Sequence, residues 1–255
     1  MAELVLVRRD GPVALLILNR PHKLNALSSA VEENLDAALE AEEVRDSRVV
    51  ILSGQGGAFC AGADMTEMGE ATPDKIIGYY RRLGDVYERV ARLPQPSIAA
   101  IHGYCLGGGF ELVLACDFRI ADRSAVFGLP EVPIGILPSS GGTHRLVRAV
   151  GVARAKELIL LRRRVDASEA LRLGVLTELV DQGAATGRAM DLARELAELP
   201  PLAVEVAKRA TEAMAESSRD AGLLVERFAY GLLSQTEEHA RATRSFGEGA
   251  APDPS

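Results

Sequence analysis

Ser97-Ile98-Ala99-Ala100-Ile101-His102-Gly103-Tyr104-Cys105-Leu106-Gly107-Gly108-Gly109-Phe110-Glu111-Leu112-Val113-Leu114 is the stretch whose reading decides the fold. Pro94 and Pro96 precede it, and Ser97 to Ile101 is uncharged and rich in small and β-branched residues. That pattern reads as a short buried strand. Gly107-Gly108-Gly109 then opens a helix expected from Phe110 to about Cys116. A buried strand feeding a helix through glycines is the unit of an α/β chain.

The alternation continues in both directions. Upstream, Glu3 to Arg9, the Asp10-Gly11 turn and Val13 to Leu18 read as a β-hairpin, ended by Pro21. Ser28 is an N-cap for a helix expected to about Arg45. Arg48 to Leu52 is a buried strand, and Ser53 to Asp64 a Gly/Ala-rich loop. Asp74 to Leu93 reads as a helix striped by Ile77, Tyr80, Leu83, Tyr87 and Val90. Thr66 to Pro73, with Gly69 and alternating charge, is expected to be mobile.

Downstream, Phe118–Ala121 and Ala125–Phe127 are short strands, and Gly141–Val150 and Val152–Leu161 are helical. Ala167–Leu173 is a helix and Val175–Val180 a strand. From Gly183 onward only helices remain, at 184–199, 201–216, 219–233 and 236–246. Gly247 to Ser255 reads as a frayed end.

Composition narrows the function. The 255 residues are 47% hydrophobic and 25% charged, values of a globular chain. Aromatics are 4% and Trp is absent, so Ala, Val, Leu and Ile must build the core. A net charge of −7 argues against a general nucleic-acid binder. Cys60, Cys105 and Cys116 form no CxxC pair, which suits a reducing compartment. The start lacks an apolar signal core, and charges interrupt the most apolar stretch, Ile98–Ile120. The expectation is a cytoplasmic protein without a membrane partner.

No Gly-Lys dipeptide, GxGxxG fingerprint or GxSxG elbow is present, and the four histidines lie far apart. A metal site is therefore not expected. Two glycine-rich segments remain, Ala58-Phe59-Cys60-Ala61-Gly62-Ala63-Asp64 and Gly107-Gly108-Gly109. Two backbone N–H groups from them, converging on one point, would stabilise an oxyanion. The alternative is close helix–strand packing. Glu111, three residues after Gly108, shares its helix face. It is either a working carboxylate or a buried one satisfied by Arg119 or Arg123. Glu131, in the apolar loop Phe127-Gly128-Leu129-Pro130-Glu131-Val132-Pro133, is either an exposed loop residue or its partner. Together the two could hold one water and act as acid and base.

These segments closely resemble the enoyl-CoA hydratase/isomerase family, the crotonase superfamily. The motifs are Leu18-Asn19-Arg20-Pro21 with Asn25-Ala26-Leu27, Ala58 to Asp64, Ala99 to Leu112, and Phe127 to Glu131 followed by Gly141-Gly142-Thr143-His144-Arg145-Leu146. Their order and spacing agree over nearly the whole chain. The resemblance implies an α/β fold, a repeated β-β-α spiral core over 1–198, and a C-terminal helical region over 199–255 that builds trimers or paired trimers. It implies an acyl-CoA thioester as substrate, with CoA carried on the substrate and no metal or redox cofactor.

By the resemblance, the N–H groups of Ala61 and Gly108 hold the thioester oxygen. Glu111 orients and deprotonates water for attack at C3, and Glu131 exchanges the proton at C2. Arg20 and Lys23 are candidates for the CoA phosphates, or else a solvated surface pair. Ala61 to Asp64, including Ala63, is placed to receive the adenine, and Asp64 reads as the cap of a following helix.

Three segments depart from the family pattern. Leu137-Pro138-Ser139-Ser140-Gly141-Gly142 replaces Pro-Gly-x-Gly-Gly, His144 stands where Gln is common, and Phe246-Gly247-Glu248-Gly249-Ala250 lacks a basic pair. The leading expectation is an enoyl-CoA hydratase. Rivals are a Δ3,Δ2-enoyl-CoA isomerase, which needs one base, a dehydratase for an unusual acyl group, and a non-catalytic acyl-CoA-binding scaffold.

Overall fold

The computed structural model describes residues 3–67, 72–82 and 86–247. The segment Thr66–Pro73 lies partly outside them, as do Leu83 and the tail after Gly247. The chain forms two compact units, Met1–Ala197 and Glu198–Ser255.

The first unit opens with the hairpin β1 (Val5–Asp10) and β2 (Val13–Leu18), followed by α1 (Ser29–Leu39), α2 (Glu42–Arg45) and β3 (Val49–Gly54). Then come α3 (Pro73–Arg82), α4 (Val86–Ala91), β4 (Ser97–Ile101), β5 (Tyr104–Leu106) and α5 (Gly108–Leu114). The next turn is β6 (Phe118–Asp122), β7 (Val126–Gly128) and α6 (Gly142–Leu160). It ends with β8 (Val165–Asp166), α7 (Ala167–Arg172), β9 (Glu178–Val180) and α8 (Ala185–Ala197).

Two turns of the chain, β4-β5-α5 and β6-β7-α6, repeat one pattern. The first strand of each joins a six-stranded sheet, ordered β1-β2-β3-β4-β6-β9. The second joins a three-stranded sheet, ordered β5-β7-β8. Apart from the β1–β2 hairpin, the larger sheet is parallel. This is the β-β-α spiral that the family resemblance implied.

Parallel strands covered on both faces must be apolar throughout. Ile51, Ile98, Ala100 and Ile120 point to one side, against Ala189, Ala193 and Ala197 of α8. Their neighbours Val50, Leu52, Ala99, Ile101 and Ala121 point to the other side, into the larger core around Phe59, Phe110 and Phe127. The alanine stripe lets α8 lie close to the sheet, which is how a core without Trp is filled.

The structure refines several boundaries. The helix expected from Ser28 to Arg45 is two, separated at Glu40 and Ala41. Between Asp74 and Leu93 the described residues form α3 and α4, and Ile77 is exposed rather than part of a buried stripe. The helix after the triple glycine starts at Gly108, two residues early. Strands β5 and β8 have three and two residues, too few for any period to register. In α6, Gly151 takes φ 77 and ψ 162 and breaks the helix where two segments were expected.

The second unit holds α9 (Pro201–Met214), α10 (Arg219–Leu233) and α11 (Glu237–Gly247). Leu224, Phe228 and Leu232 of α10 are exposed.

One buried amide fixes the loops beneath the site. Asn25, fully buried and at φ +56, accepts from the Arg20 N–H at 2.8 Å. Its side-chain amide donates to the carbonyls of Gln55 at 3.0 Å and Ala58 at 2.8 Å. Asn tolerates the left-handed region better than other residues with a Cβ. Asn25→Ala leaves all three partners bare, and a buried unsatisfied group costs about 1–3 kcal/mol. A urea titration is expected to show a loss of at least about 2 kcal/mol, whereas a loss below about 0.5 kcal/mol would contradict this role.

Candidate active site

The site is built around the N-terminus of α5. Gly107 precedes the helix at φ 50 and ψ −128, a conformation that suits glycine. The first N–H of a helix has no partner inside it. Gly108 supplies that group.

Facing it is the 60–64 loop, held parallel to β5 by Cys60 N–H to Tyr104 O and Leu106 N–H to Cys60 O. On its other edge, Leu27 N–H donates to Gly62 O and Asp64 N–H to Leu27 O. In a parallel pairing, the residue between those two bonds turns its own N–H away. That residue is Ala63, whose N–H makes no hydrogen bond among the described residues. A Cβ placed on Gly108 would lie 4.0 Å from the Ala63 nitrogen and 3.0 Å from the Tyr87 hydroxyl.

This corrects the donor expected from the sequence. Ala61 N–H is committed to Leu24 O at 3.0 Å. The free N–H beside Gly108 belongs to Ala63, two residues on, because only alternate residues of an extended loop face the same way.

Glu111 sits in the first turn of α5 and is only 5% exposed. Its Oε1 accepts from the N–H groups of Ser140 at 2.8 Å and Gly142 at 3.0 Å. Those donors form the N-terminus of α6, where a negative charge is favoured. Gly142 is required there, since a Cβ would fall 2.4 Å from Glu111 Cγ. Burial pushes the Glu111 pKa up, while the Ser140 and Gly142 bonds and the Arg145 charge oppose that rise. Neither arginine considered from the sequence is its partner. Arg119 donates to the carbonyls of Val175 and Cys116, and Arg123 pairs with Asp181.

Glu131 is buried as well, so it is not an exposed loop residue. Its Oε1 would lie 3.1 Å from a Cβ on Gly107, at the same helix end. Its Oε2 is buried and has no hydrogen-bond partner among the described residues. Burial foremost, and the neighbouring charge of Glu111, push its pKa up to about 7. Two carboxyls thus meet beside two N–H donors, one held as an acceptor and one poised near neutral pH.

The cations divide. Lys23 is exposed in the short turn Pro21–Lys23. Arg20 is not a free surface cation, because its Nη1 binds Ala26 O at 3.2 Å and Asp64 Oδ2 at 2.6 Å. Asp64 caps a turn rather than a helix. Its Oδ1 accepts from Thr66 N–H at 3.0 Å and Thr66 Oγ1 at 2.7 Å, and the next described helix begins at Pro73. The Thr66 bonds, with Arg20, hold the Asp64 carboxyl well below its usual range.

Sequence reasoning missed Ala63 as a donor, Tyr87 as a wall, and Ser140, Gly142 and Arg145 as the setting of Glu111. The Gly141-Gly142 pair was the available signal for the last group, since adjacent glycines mark a close approach.

Comparison with known proteins decides the family. The family model described as enoyl-CoA hydratase/isomerase matches residues 8–253. The chain belongs to the enoyl-CoA hydratase/isomerase family. It is 39% identical over 252 residues to a probable enoyl-CoA hydratase of Mycobacterium tuberculosis, covering 98% of this chain and 97% of that one. It is 38% identical over 250 residues to a short-chain-enoyl-CoA hydratase of Clostridium acetobutylicum, covering 96% and 94%. An enoyl-CoA hydratase of Bacillus anthracis, solved by crystallography, superposes with a TM-score of 0.91 at 39% identity, covering 98% of both chains. Within this crotonase-type fold, the described residues contain no group of three or more His, Cys, Asp or Glu side chains that could hold a metal ion. No described helix is long and apolar enough to cross a membrane.

The raised pKa of Glu131 has a consequence for stability. The folded state holds this proton up to about pH 7, against 4.5 for an ordinary glutamate. Its contribution is therefore complete below about pH 4.5 and lost as pH rises through about 7. Urea titrations are expected to show Glu131→Gln gaining on wild type between pH 5 and 8, by on the order of 2–3 kcal/mol. Parallel pH dependences in the two proteins would contradict the buried, proton-retaining state.

Proposed function

We propose that this chain is an enoyl-CoA hydratase, a hydro-lyase that adds water across the 2,3-double bond of a trans-2-enoyl-CoA. The observation that carries the reading is the second buried carboxyl. Glu131 keeps an oxygen without a hydrogen-bond partner among the described residues, beside the ionisable Glu111 at the same helix end. A reaction that only moves a proton needs one such group.

In this reading the thioester oxygen accepts from Ala63 N–H and Gly108 N–H. Glu111, as carboxylate, takes a proton from water while the water oxygen bonds to C3. The C2–C3 π electrons move toward the thioester oxygen and give enolate character. Two N–H donors meet that charge as it develops, which is where such donors accelerate a reaction. Glu131, as the acid, gives its proton to C2 as the enolate collapses to the 3-hydroxyacyl thioester. The pair starts and ends with one proton, now on Glu111, and exchange through the next water resets it. The reverse sequence is dehydration.

Both proton transfers and the charge on oxygen are handled by protein groups, so no metal or redox cofactor is needed. CoA arrives on the substrate, and the exposure of Lys23 supports assigning it to the CoA phosphates in this reading. The exposed Leu224, Phe228 and Leu232 support a homo-oligomer, a trimer or a pair of trimers, with the helical region as the assembly element. Three buried free thiols favour a reducing compartment such as the cytoplasm.

The test is loss of enoyl-thioester absorbance on adding crotonyl-CoA, with Glu111→Gln and Glu131→Gln in parallel. Rapid loss is expected for wild type, and a drop of roughly 10²- to 10⁴-fold for each variant, the scale of one acid–base group. A variant that keeps the wild-type rate would remove that residue from the mechanism. A wild type that binds crotonyl-CoA and longer enoyl-CoAs without consuming them would point to a scaffold.

A further inference from the structure

Arg145 lies in the first turn of α6, and its side chain is 16% exposed. Its Nη1 donates to Ser140 O at 3.0 Å, and its Nη2 to Glu88 Oε2 of α4 at 2.5 Å. The guanidinium fills space left by Gly141, which takes φ +87. A Cβ there would fall 2.1 Å from Nη1. Ser140 is therefore gripped at both ends. Its carbonyl accepts from Arg145, and its N–H donates to Glu111 Oε1 at 2.8 Å. Glu88 in turn accepts from Arg92 at 2.7 Å. The chain of contacts Glu88–Arg145–Ser140–Glu111 runs from α4 through α6 to α5.

We propose that Arg145, clamped between the Ser140 carbonyl and Glu88, is a positioning residue that fixes the Glu111 carboxylate in the orientation it needs to act as base. This rests on the hydratase reading. A rigid fork reaching two fixed acceptors holds a loop more firmly than an ammonium on a flexible stem can. A base misplaced by about 1 Å can lose up to 10²-fold in rate.

Arg145 also acts through charge. Around Glu111 stand Glu131 from the loop after β7, Arg145 from α6 with its partner Glu88, and Tyr87 of α4, whose hydroxyl faces the Gly108 end of α5 and donates to buried Glu32. Helix α5 carries no other ionisable side chain. His144 and Arg148 of α6 are exposed. Burial opposes ionisation of Glu111, and the Ser140 and Gly142 bonds and Arg145 favour it. Without Arg145, Glu111 keeps its proton to higher pH, so the acid limb of the rate profile moves upward.

The test compares wild type with Arg145→Met, Arg145→Lys and Glu88→Gln in the full chain. Two readouts are taken. One is kcat and KM for crotonyl-CoA across the pH range. The other is the Glu111 titration by carboxyl-labelled NMR, assigned with Glu111→Gln. In Arg145→Met, kcat is expected to fall roughly tenfold with KM within about twofold. The acid limb and the Glu111 titration both move to higher pH. Arg145→Lys restores the titration, but only part of kcat, because one nitrogen does not span both acceptors. Should Arg145→Met not fold, Glu88→Gln frees one end of the clamp at a half-exposed position, and kcat is expected to fall several-fold at constant KM.

An unmoved titration with unchanged kcat overturns the proposal. So does a fall in kcat that tracks loss of folded protein while the titration stays in place. If wild type leaves crotonyl-CoA and longer enoyl-CoAs unchanged, the hydratase reading fails, and the Glu111 titration alone decides whether Arg145 sets that carboxylate.

Discussion

A carboxyl group taken out of water loses solvation that only hydrogen bonds or opposite charge replace. Glu111 and Glu131 are both buried at one helix end, and they meet this constraint differently. Glu111 receives two N–H bonds from the start of α6. Glu131 has an oxygen with no partner among the described residues and holds its proton up to about pH 7. Burial raises both, but the N–H bonds and Arg145 offset the rise at Glu111, so Glu111 is the better placed to act as the anion and Glu131 as the acid. That split is what a reaction with one proton taken and one proton given requires.

The surrounding fold is arranged to keep this pair in place. The helix ends approach closely because Gly107, Gly108 and Gly142 carry no Cβ, and each would otherwise meet Glu131, Tyr87 or Glu111 within about 3 Å. The central strands β3 and β4 of the larger sheet are apolar on both faces and packed by small side chains. A close-packed frame of this kind has low compressibility and holds the helix ends in fixed positions. The binding energy of the substrate is then free to go into the transition state rather than into ordering the protein.

Much of this was legible in the residues. Strands alternating with helices and then a helical tail are visible because periods 2 and 3.6 differ over five residues or more. Glu111 stood out because an acid in Phe110-Glu111-Leu112-Val113 has no solvent to face, and Glu131 because Pro and Val flank its loop. What escaped was set by tertiary geometry. Whether Ala61 or Ala63 offers its N–H depends on which edge of the loop pairs with Leu27, and pairing register is not a local property. Strands β5 and β8 are held by their neighbours, not by their own two or three residues. Arg20 read as a surface cation because Asp64, its partner, lies 44 positions away.

The central claim is that two carboxyls, sharing one proton, direct a water-derived hydroxyl to C3 and a proton to C2. Isotope incorporation tests it most directly. An enoyl-CoA is turned over in deuterated, ¹⁸O-labelled water, and the product is read by mass spectrometry and NMR. One ¹⁸O at C3 together with one deuteron at C2 is the expected result. Deuterium at C2 or C4 without ¹⁸O would show proton shuttling alone, and would contradict the assignment of the two glutamates to hydration.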